Sequence, residues 1–312
     1  MAHGAEESGW KNRDVIDILG FTKNELLDLF EETDKFVEQG SDFGEPLRHK
    51  IVATAFFEPS TRTRLSFSSA ALRLGAKVID LSAEVSSLMK GESFADTIRM
   101  LEAYSDLIVV RHPSEGAALF ASEISSKPVV NGGDGSQHHP TQAMLDVYTV
   151  NKLKGGVDGL TYALVGDIKY ARTATSFLYA LTKFNPRRVY AVCPEALRPR
   201  AEVLKRLEGL GLRVELGLEL EDIIGELDVV YATRIQKERF PDQSEYEKVK
   251  GSYRLARTVM EKAKRECIIL HPLPRVEELP YELDSTPHAA YFKQAAWGVP
   301  LRMALLKLIL GG

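Results

Sequence analysis

Residues 58–64 read EPSTRTR, and they stand between the apolar, β-branched run IVATAFF at 51–57 and the helix-like segment LSFSSAALRL at 65–74. The apolar run predicts a buried strand, so this part of the chain is expected to form a strand, a polar turn and a helix. In such a turn, backbone N–H groups, the positive end of the helix and hydroxyl and guanidinium donors can converge on one phosphate. The alternative is that Ser60 and Thr61 only cap the helix and that the arginines are solvated.

Five further polar clusters each follow an apolar run, as 58–64 does. They read RHP at 111–113, HHPTQ at 138–142, GDIKYAR at 166–172, TRIQ at 233–236 and HPLPR at 271–275. An open α/β sheet binds its ligands at the carboxyl ends of its strands. Six polar clusters at six predicted strand ends therefore indicate a ligand site rather than unrelated turns.

The alternation of strands and helices predicts an α/β fold. Strands are predicted near 50–57, 76–82, 106–111 and 127–131, and then near 161–166, 188–193, 212–216, 228–232 and 267–270. Two such series in a chain of 312 residues predict two domains, each a parallel sheet flanked by helices, joined by bridging helices. A helix predicted over 141–154 is the candidate bridge, and Thr22 with Glu25 resembles a capping box at the start of an earlier helix.

Composition excludes several classes of function. A formal net charge of -4 gives no reason to expect a nucleic acid or an anionic membrane as partner. No run is long enough to span a bilayer, and residues 1–11 lack the apolar core of a signal peptide, so we predict a cytoplasmic protein. Two cysteines, Cys193 and Cys267, suit a reducing compartment better than a disulfide framework. Cys267 with His271 is at most half a metal site, so neither a metal nor a cofactor is predicted.

Several of these motifs together resemble those of the carbamoyltransferases. They are STRTR at 60–64, RHP at 111–113, HPTQ at 139–142 and HPLPR at 271–275. Three further segments resemble the aspartate-specific branch of that family, namely KGE at 90–92, YAR at 170–172 and TRIQKER at 233–239. The similarity runs in order from about residue 18 to residue 310, which makes it more specific than any single motif.

The resemblance implies a transferase that moves the carbamoyl group of carbamoyl phosphate to L-aspartate, giving N-carbamoyl-L-aspartate and phosphate, an early step of pyrimidine biosynthesis. It implies a carbamoyl phosphate-binding domain over 1–145, completed by a returning C-terminal helix at 294–312, and an aspartate-binding domain over 146–293. It also implies a homotrimer, alone or within a larger assembly that includes a separate regulatory chain.

Carbamoyl phosphate requires groups that hold the phosphate, polarise the carbonyl and position the amine that attacks it. Arg62 and Arg111 suit the phosphate, and His139 suits the carbonyl oxygen, on which negative charge develops. The predicted catalytic residues are Arg62, Thr63, Arg111 and His139. The predicted ligands of carbamoyl phosphate in the same subunit are Ser60, Thr61, Arg62, Thr63, Arg111, His139, Gln142, Pro272 and Leu273.

The carbamoyl NH2 group needs hydrogen-bond acceptors of its own. Gln142 offers an amide that both donates and accepts, which fits this planar group. The resemblance implies that the backbone carbonyls of Pro272 and Leu273 accept from the same NH2 group. Proline has no N–H donor, so that turn presents its acceptors.

L-aspartate carries two carboxylates, which bidentate arginines bind well. The resemblance implies the aspartate ligands Arg172, Arg234, Gln236 and Lys90. Lys90 lies in the segment SSLMKGE at 86–92, which in the family reaches into the neighbouring subunit's site. There Lys90 and either Ser86 or Ser87 are expected to contact the phosphate.

Three other classes of protein fit the sequence less well. An ornithine-type carbamoyltransferase typically carries cysteine at the place of Pro272 and a Ser-Met-Gly segment within 234–242, and this chain has neither. A non-catalytic paralogue of the same fold is expected to have lost at least one main basic residue of the site. Those residues, Arg62, Arg111, His139 and Arg234, are all present. A nucleotide-binding protein of the Rossmann type would show G-x-G-x-x-G after a strand, and no strand is followed by it.

Overall fold

The computed structural model describes residues 9–40, 43–82, 91–240, 242–251 and 253–311, without the side chains of Ser82 and Glu238. The chain forms two compact units, one comprising Met1–Thr141 with Trp297–Gly312 and the other comprising Gln142–Ala296. None of the helices in the described ranges is long and apolar enough to cross a membrane. The binding roles expected of the two domains stay predictions at this point.

The first unit alternates strands and helices along the chain. Its elements are α1 (Lys23–Glu38), β1 (Ile51–Phe56), α2 (Thr61–Arg73), β2 (Lys77–Ser82), α3 (Phe94–Tyr104), β3 (Leu107–His112), α4 (Ala117–Ile124) and β4 (Val129–Asp134). The strands form one parallel sheet in the order β2-β1-β3-β4. Its core includes Ala53, Ala55, Ile98, Ile108, Val110 and Ala121. Burial of this kind is the dominant favourable contribution to folding and fixes the two central strands, β1 and β3.

The second unit repeats this alternation. After α5 (Pro140–Lys154) come β5 (Thr161–Gly166), α6 (Arg172–Leu181), β6 (Arg188–Val192), α7 (Ala201–Gly209), β7 (Glu215–Leu216), α8 (Leu220–Ile223), β8 (Val229–Thr233), α9 (Gln243–Val249), α10 (Arg257–Met260), β9 (Ile268–Leu270) and α11 (Tyr291–Leu310). The strands form a parallel sheet in the order β7-β6-β5-β8-β9. Both α5 and α11 contain a boundary residue of the two units.

The predicted α/β fold of parallel sheets flanked by helices is confirmed. The capping box before α1 is also present, because Thr22 Oγ1 accepts from the Glu25 N–H and the Thr22 N–H donates to the Glu25 carboxylate at 2.7 Å. The strand predicted over 212–216 is shorter, since only Glu215–Leu216 pairs and Gly217 turns the chain with a φ of +80°.

The register of the central strands decides which side chains meet at the carboxyl edge of each sheet. In the first sheet, Phe56 of β1 pairs with Arg111 of β3. In the second sheet, Gly166 of β5 pairs with Thr233 of β8. Because parallel strands end at the same edge, the polar residues that follow each pair of central strands lie next to one another.

Candidate active site

The start of α2 has the form of an anion site. Ser60 occupies the N-cap position in an extended conformation, and its side chain makes no capping hydrogen bond to the described first turn, which also holds no acidic residue. The first N–H groups of the helix are therefore left to bind an anion, with the favourable end of the helix dipole behind them. Thr61 and Arg62 are exposed there, whereas Thr63 is buried. The interpretation that Ser60 is only a side-chain cap is not supported.

His139 lies against this helix start. Its Nε2 is 3.4 Å from Thr63 Oγ1, and both side chains are buried although the residues are 76 positions apart in the chain. Asp134 holds the preceding loop, because its Oδ1 accepts from the His138 N–H at 3.0 Å and from Asn131 Nδ2 at 3.0 Å. A hydroxyl and an imidazole are thus fixed beside the amino end of a helix.

Arg111 is the penultimate residue of β3 and lies at the same carboxyl edge of the sheet. Its Nε is 2.8 Å from Glu58 Oε1, and its Nη1 donates to the carbonyl oxygen of Gly132 at 3.1 Å. The Arg111 and Glu58 side chains are only 15% and 14% exposed, so water screens this ion pair weakly. The pair fixes the plane of the guanidinium next to the segment that leads into α2.

Lys90, Ser86 and Ser87 lie outside the described residues, so their expected contribution to a neighbouring subunit stays a prediction. Arg62 lies in the first turn of α2, one residue before Thr63. In the first unit the structure therefore brings Thr63 to His139, and it sets Arg111 on the strand that pairs with β1.

Three of the four predicted aspartate ligands lie in the second unit, in segments that follow two neighbouring strands. Arg234 and Gln236 follow β8, and Arg234 Nη2 lies 3.5 Å from Gln236 Oε1. Arg172 is the first residue of α6 and is 8% exposed. Since β5 and β8 pair directly, the segments that carry these three side chains leave the same edge of the sheet.

Asp167 belongs to this site, and the sequence analysis did not assign it a role. Its two carboxylate oxygens accept from the backbone N–H groups of Tyr170 at 2.9 Å and Gln236 at 3.0 Å. Burial raises the pKa of Asp167 to about 6, against the opposing effect of these backbone donors and of Arg234. One carboxylate thus ties the loop before Arg172 to the loop after β8. The available signal was its place directly after the predicted strand end.

Gly166, next to Asp167, has to be glycine. Its φ is +109°, and a Cβ added there would lie 2.3 Å from the carbonyl oxygen of Thr233. An L side chain disfavours this φ and could not approach the neighbouring backbone so closely. The glycine therefore lets β5 and β8 stay paired up to the point at which Asp167 turns towards the loop after β8.

The turn after β9 is built around His271. Its Nδ1 accepts from the Leu273 N–H at 2.8 Å, so the ring proton is on Nε2, which donates to Glu278 Oε1 at 2.9 Å. Leu273 adopts a φ of +56°, which this hydrogen bond holds in place. The predicted acceptors, the carbonyls of Pro272 and Leu273, therefore lie in a fixed turn of the second unit.

Metal binding receives no support from the described residues. No group of three or more His, Cys, Asp or Glu side chains in those ranges is placed to hold a metal ion. Cys267 is buried directly before β9, and His271 is committed to Glu278 and to the Leu273 N–H. The chemistry available is that of cationic and hydrogen-bond donors at an anion site, together with a polarising imidazole.

The fold and these strand-end clusters match the arrangement that the sequence motifs predicted for a carbamoyltransferase. The sequence matches the family model "Aspartate/ornithine carbamoyltransferase, carbamoyl-P binding domain" over residues 13–152, and the model "Aspartate/ornithine carbamoyltransferase, Asp/Orn binding domain" over residues 158–309. The chain belongs to the aspartate/ornithine carbamoyltransferase family, as its motifs predicted.

The similar proteins cited here all belong to the aspartate branch of this family. The chain is 58% identical over 308 residues to the aspartate carbamoyltransferase catalytic subunit of Hyperthermus butylicus, covering 97% of this chain and 98% of the relative. It is 55% identical over 310 residues to the protein of the same name from Thermofilum pendens, covering 99% and 98%. Among solved structures, it is similar to the aspartate transcarbamoylase of Trypanosoma cruzi in complex with carbamoyl phosphate and aspartate, with a TM-score of 0.92, 35% identity and coverage of 97% and 98%.

Glu278 provides a pH test of the turn after β9. Burial raises its pKa, but hydrogen bonds from His271 and from backbone N–H groups outweigh burial and hold the pKa below the ordinary 4.5. The stabilisation is therefore complete above about pH 4.5 and is lost as the pH falls through the lower, folded-state pKa. We expect Glu278→Gln to lower the free energy of unfolding at pH 7, and the difference from the wild type to shrink towards pH 3 in urea titrations.

The exposed neighbour Glu277 supplies the matched control. Glu277→Gln is expected to leave the free energy of unfolding within about 0.5 kcal/mol of the wild type at pH 7, as for most surface substitutions. A difference for Glu278→Gln that stayed constant from pH 7 to pH 3 would contradict the proposed hydrogen bonding of an ionised Glu278 in this turn.

Proposed function

We propose that the chain transfers the carbamoyl group of carbamoyl phosphate to the amine of L-aspartate, producing N-carbamoyl-L-aspartate and phosphate for pyrimidine biosynthesis. The observation that carries this proposal is the amino end of α2. No side chain caps its described first turn, and Thr63 in that turn lies beside the imidazole of His139. Relatives at 52% to 58% identity over nearly the whole chain are named for this activity.

The phosphate half of the substrate is assigned to the first unit. The phosphate binds the first-turn N–H groups of α2, where Arg62, Ser60 and Thr61 add side-chain donors. Arg111, held in orientation by Glu58, contacts the phosphate and its bridging oxygen. These contacts strengthen as the bridging bond breaks and charge moves onto phosphate, so they favour the transition state over the substrate.

His139 is assigned to the carbonyl oxygen. As the amine nitrogen attacks the carbonyl carbon, that oxygen gains negative charge, and a hydrogen bond donated by the imidazole stabilises it. The carbon–oxygen bond to phosphate then breaks, and the departing phosphate takes the proton that the amine must lose. The Thr63 hydroxyl beside Nε2 restricts the rotation of the imidazole ring. The chain acts mainly by orientation and electrostatics, without a dedicated general base.

The second unit is assigned to L-aspartate. Arg172 and Arg234 bind its two carboxylates, and Gln236, whose backbone N–H is tied to Asp167, adds a polar contact. Ornithine would bring an ammonium group to the same place, where two arginines would repel it. The two arginines that follow β5 and β8 therefore favour the aspartate branch over the ornithine branch.

The function is tested by offering two acceptors to the purified chain with carbamoyl phosphate. We expect carbamoylated product from aspartate with kcat/KM at least about a hundredfold above that from ornithine, because a site built for carboxylates rejects an amine strongly. Turnover of ornithine alone would assign the chain to the other branch. No turnover of either acceptor would favour a non-catalytic member of the family.

Arg62 should be essential to turnover but not to folding. Arg62→Ala is expected to lower kcat/KM for carbamoyl phosphate at least about a hundredfold, because one donor to developing charge is worth about 3 kcal/mol. The matched control is Arg64→Ala, since Arg64 is half-exposed and lies 3.6 Å from Asp80 in a weak surface ion pair. Its kcat/KM should stay within about threefold of the wild type. A folded Arg62→Ala protein that keeps more than about a tenth of the activity would remove Arg62 from the phosphate site.

A homotrimer with shared sites forms part of the proposal. It is supported by the family and by an exposed apolar face of α2, where Leu65 is 58% exposed and Leu72 is 62% exposed. Residues seven apart lie on the same side of a helix, so these two leucines face the same way and a second copy could cover both. A larger assembly with a regulatory chain, and a cytoplasmic location, stay predictions.

Mixing two inactive variants tests the shared site. Lys90→Ala and His139→Ala should each be nearly inactive alone, since loss of one positioned group can cost about two orders of magnitude. If Lys90 serves the neighbouring subunit, every mixed trimer contains one site in which both residues are intact. Dissociating and reassociating the two variants together should restore activity, whereas each variant treated alone should stay inactive. Mixed trimers without activity would place Lys90 in the site of its own chain.

A further inference from the structure

Asp146 is a fully buried carboxylate of the second unit, and the proposed mechanism does not use it. It lies on α5 and is 0% exposed. Three side chains donate hydrogen bonds to it, namely Gln142 Nε2 to Oδ1 at 2.7 Å, Gln294 Nε2 to Oδ1 at 2.6 Å and the Tyr231 hydroxyl to Oδ2 at 2.8 Å. A buried carboxylate with this many donors fixes their orientation, because breaking any one bond leaves a polar group unpaired.

The first consequence concerns Gln142. Its amide has a donor end and an acceptor end that are nearly identical in shape, so only a hydrogen-bond partner decides which end faces a ligand. Because Nε2 donates to Asp146, the amide oxygen is the end left to accept from a ligand. The carbamoyl NH2 group consists of two N–H donors, and it requires an acceptor at that position.

The second consequence concerns the turn after β9. Gln294 donates from its Nε2 to Asp146, and its Oε1 accepts from the backbone N–H of His271 at 2.9 Å. His271 in turn holds the Leu273 N–H through Nδ1. Asp146 is therefore linked to the turn that carries the carbonyls of Pro272 and Leu273, first through the Gln294 side chain and then through the backbone N–H and Nδ1 of His271. Both sets of predicted NH2 acceptors depend on one carboxylate.

We propose that Asp146 is a positioning residue that sets the preference of the site for a carbamoyl group over other acyl groups. This inference rests on the proposed function, and it adds the origin of donor selectivity. Acetyl phosphate is the informative comparison, since a methyl group of similar size replaces the NH2 group and offers no N–H donors. A site with fixed acceptors rejects such an analogue, because the acceptors are left unpaired.

The test measures kcat/KM for carbamoyl phosphate and for acetyl phosphate, with L-aspartate as the acceptor in both cases. We expect the wild type to prefer carbamoyl phosphate strongly. Asp146→Ala should lower the carbamoyl-to-acetyl ratio at least about tenfold, through loss of the carbamoyl reaction. Its acetyl reaction should stay within about threefold of the wild type, since the phosphate ligands of the first unit are untouched.

A conservative variant and a matched control separate positioning from general damage. Asp146→Asn keeps one oxygen that can accept from both glutamine amides, so the carbamoyl-to-acetyl ratio should recover to within about threefold of the wild type. Tyr231→Phe removes one donor to Asp146 but keeps the ring stacked on Phe177, with centroids 4.6 Å apart. It should lower the melting temperature while leaving the ratio unchanged.

The outcomes are distinguishable. An equal loss of both reactions in folded Asp146→Ala would mean a structural role and would overturn the proposal, as would an unchanged ratio. If Asp146→Ala does not fold, Gln142→Leu decides, because it removes the amide that Asp146 orients. An unchanged ratio in that variant also overturns the proposal. A wild type that carbamoylates no aspartate would instead overturn the proposed function.

Discussion

In each of the two units, the structure depends on the parallel hydrogen-bonded pairing of the two central strands of its sheet, β1 with β3 and β5 with β8. Pairing of Phe56 with Arg111 aligns the end of β1 with the end of β3, so the turn that opens α2 begins beside the guanidinium of Arg111. Pairing of Gly166 with Thr233 does the same for β5 and β8, which sets Asp167 beside the backbone of Gln236. A shift of one residue in either register would turn every side chain of that strand to the opposite face. Apolar burial of the strands thus fixes the polar chemistry at their ends.

The polar side chains at these edges are held before any ligand arrives. Arg111 is oriented by Glu58 and by the Gly132 carbonyl, and His139 lies against Thr63. Such fixed donors stabilise developing charge without the cost of reorienting during the reaction. Under the proposed mechanism, these donors leave no task that requires a general base. When the leaving group is itself a basic phosphate, the remaining task of the protein is to align the reactants and stabilise charge.

Sequence reasoning reaches the strands, the strand-end motifs and the capping box at Thr22, because each is a local pattern of neighbouring residues. It does not predict contacts between residues that are far apart in the chain. The hydrogen bond from Gln294 to Asp146 spans 148 positions, and neither residue lies in a recognisable motif. Asp146 in particular is a polar residue inside a helix with no clear apolar face, so its complete burial follows only from the packing of α5. The pairing of Glu58 with Arg111 likewise depends on strand register and not on local sequence.

A unit assigned to a dicarboxylate substrate should not present unsatisfied carboxylates of its own. The second unit meets this requirement by giving its buried acids close donors, with Asp146 accepting from three side chains, Asp167 from two backbone N–H groups and Glu278 from His271 and the Val276 N–H. The donor groups bonded to each carboxylate offset much of its negative potential nearby. The full positive charges of Arg172 and Arg234 act over a longer distance and therefore still attract an incoming carboxylate. Each of these acids also orients a loop or an amide of the candidate site. Removing one would therefore change the geometry of that site as well as the charge near the incoming anion.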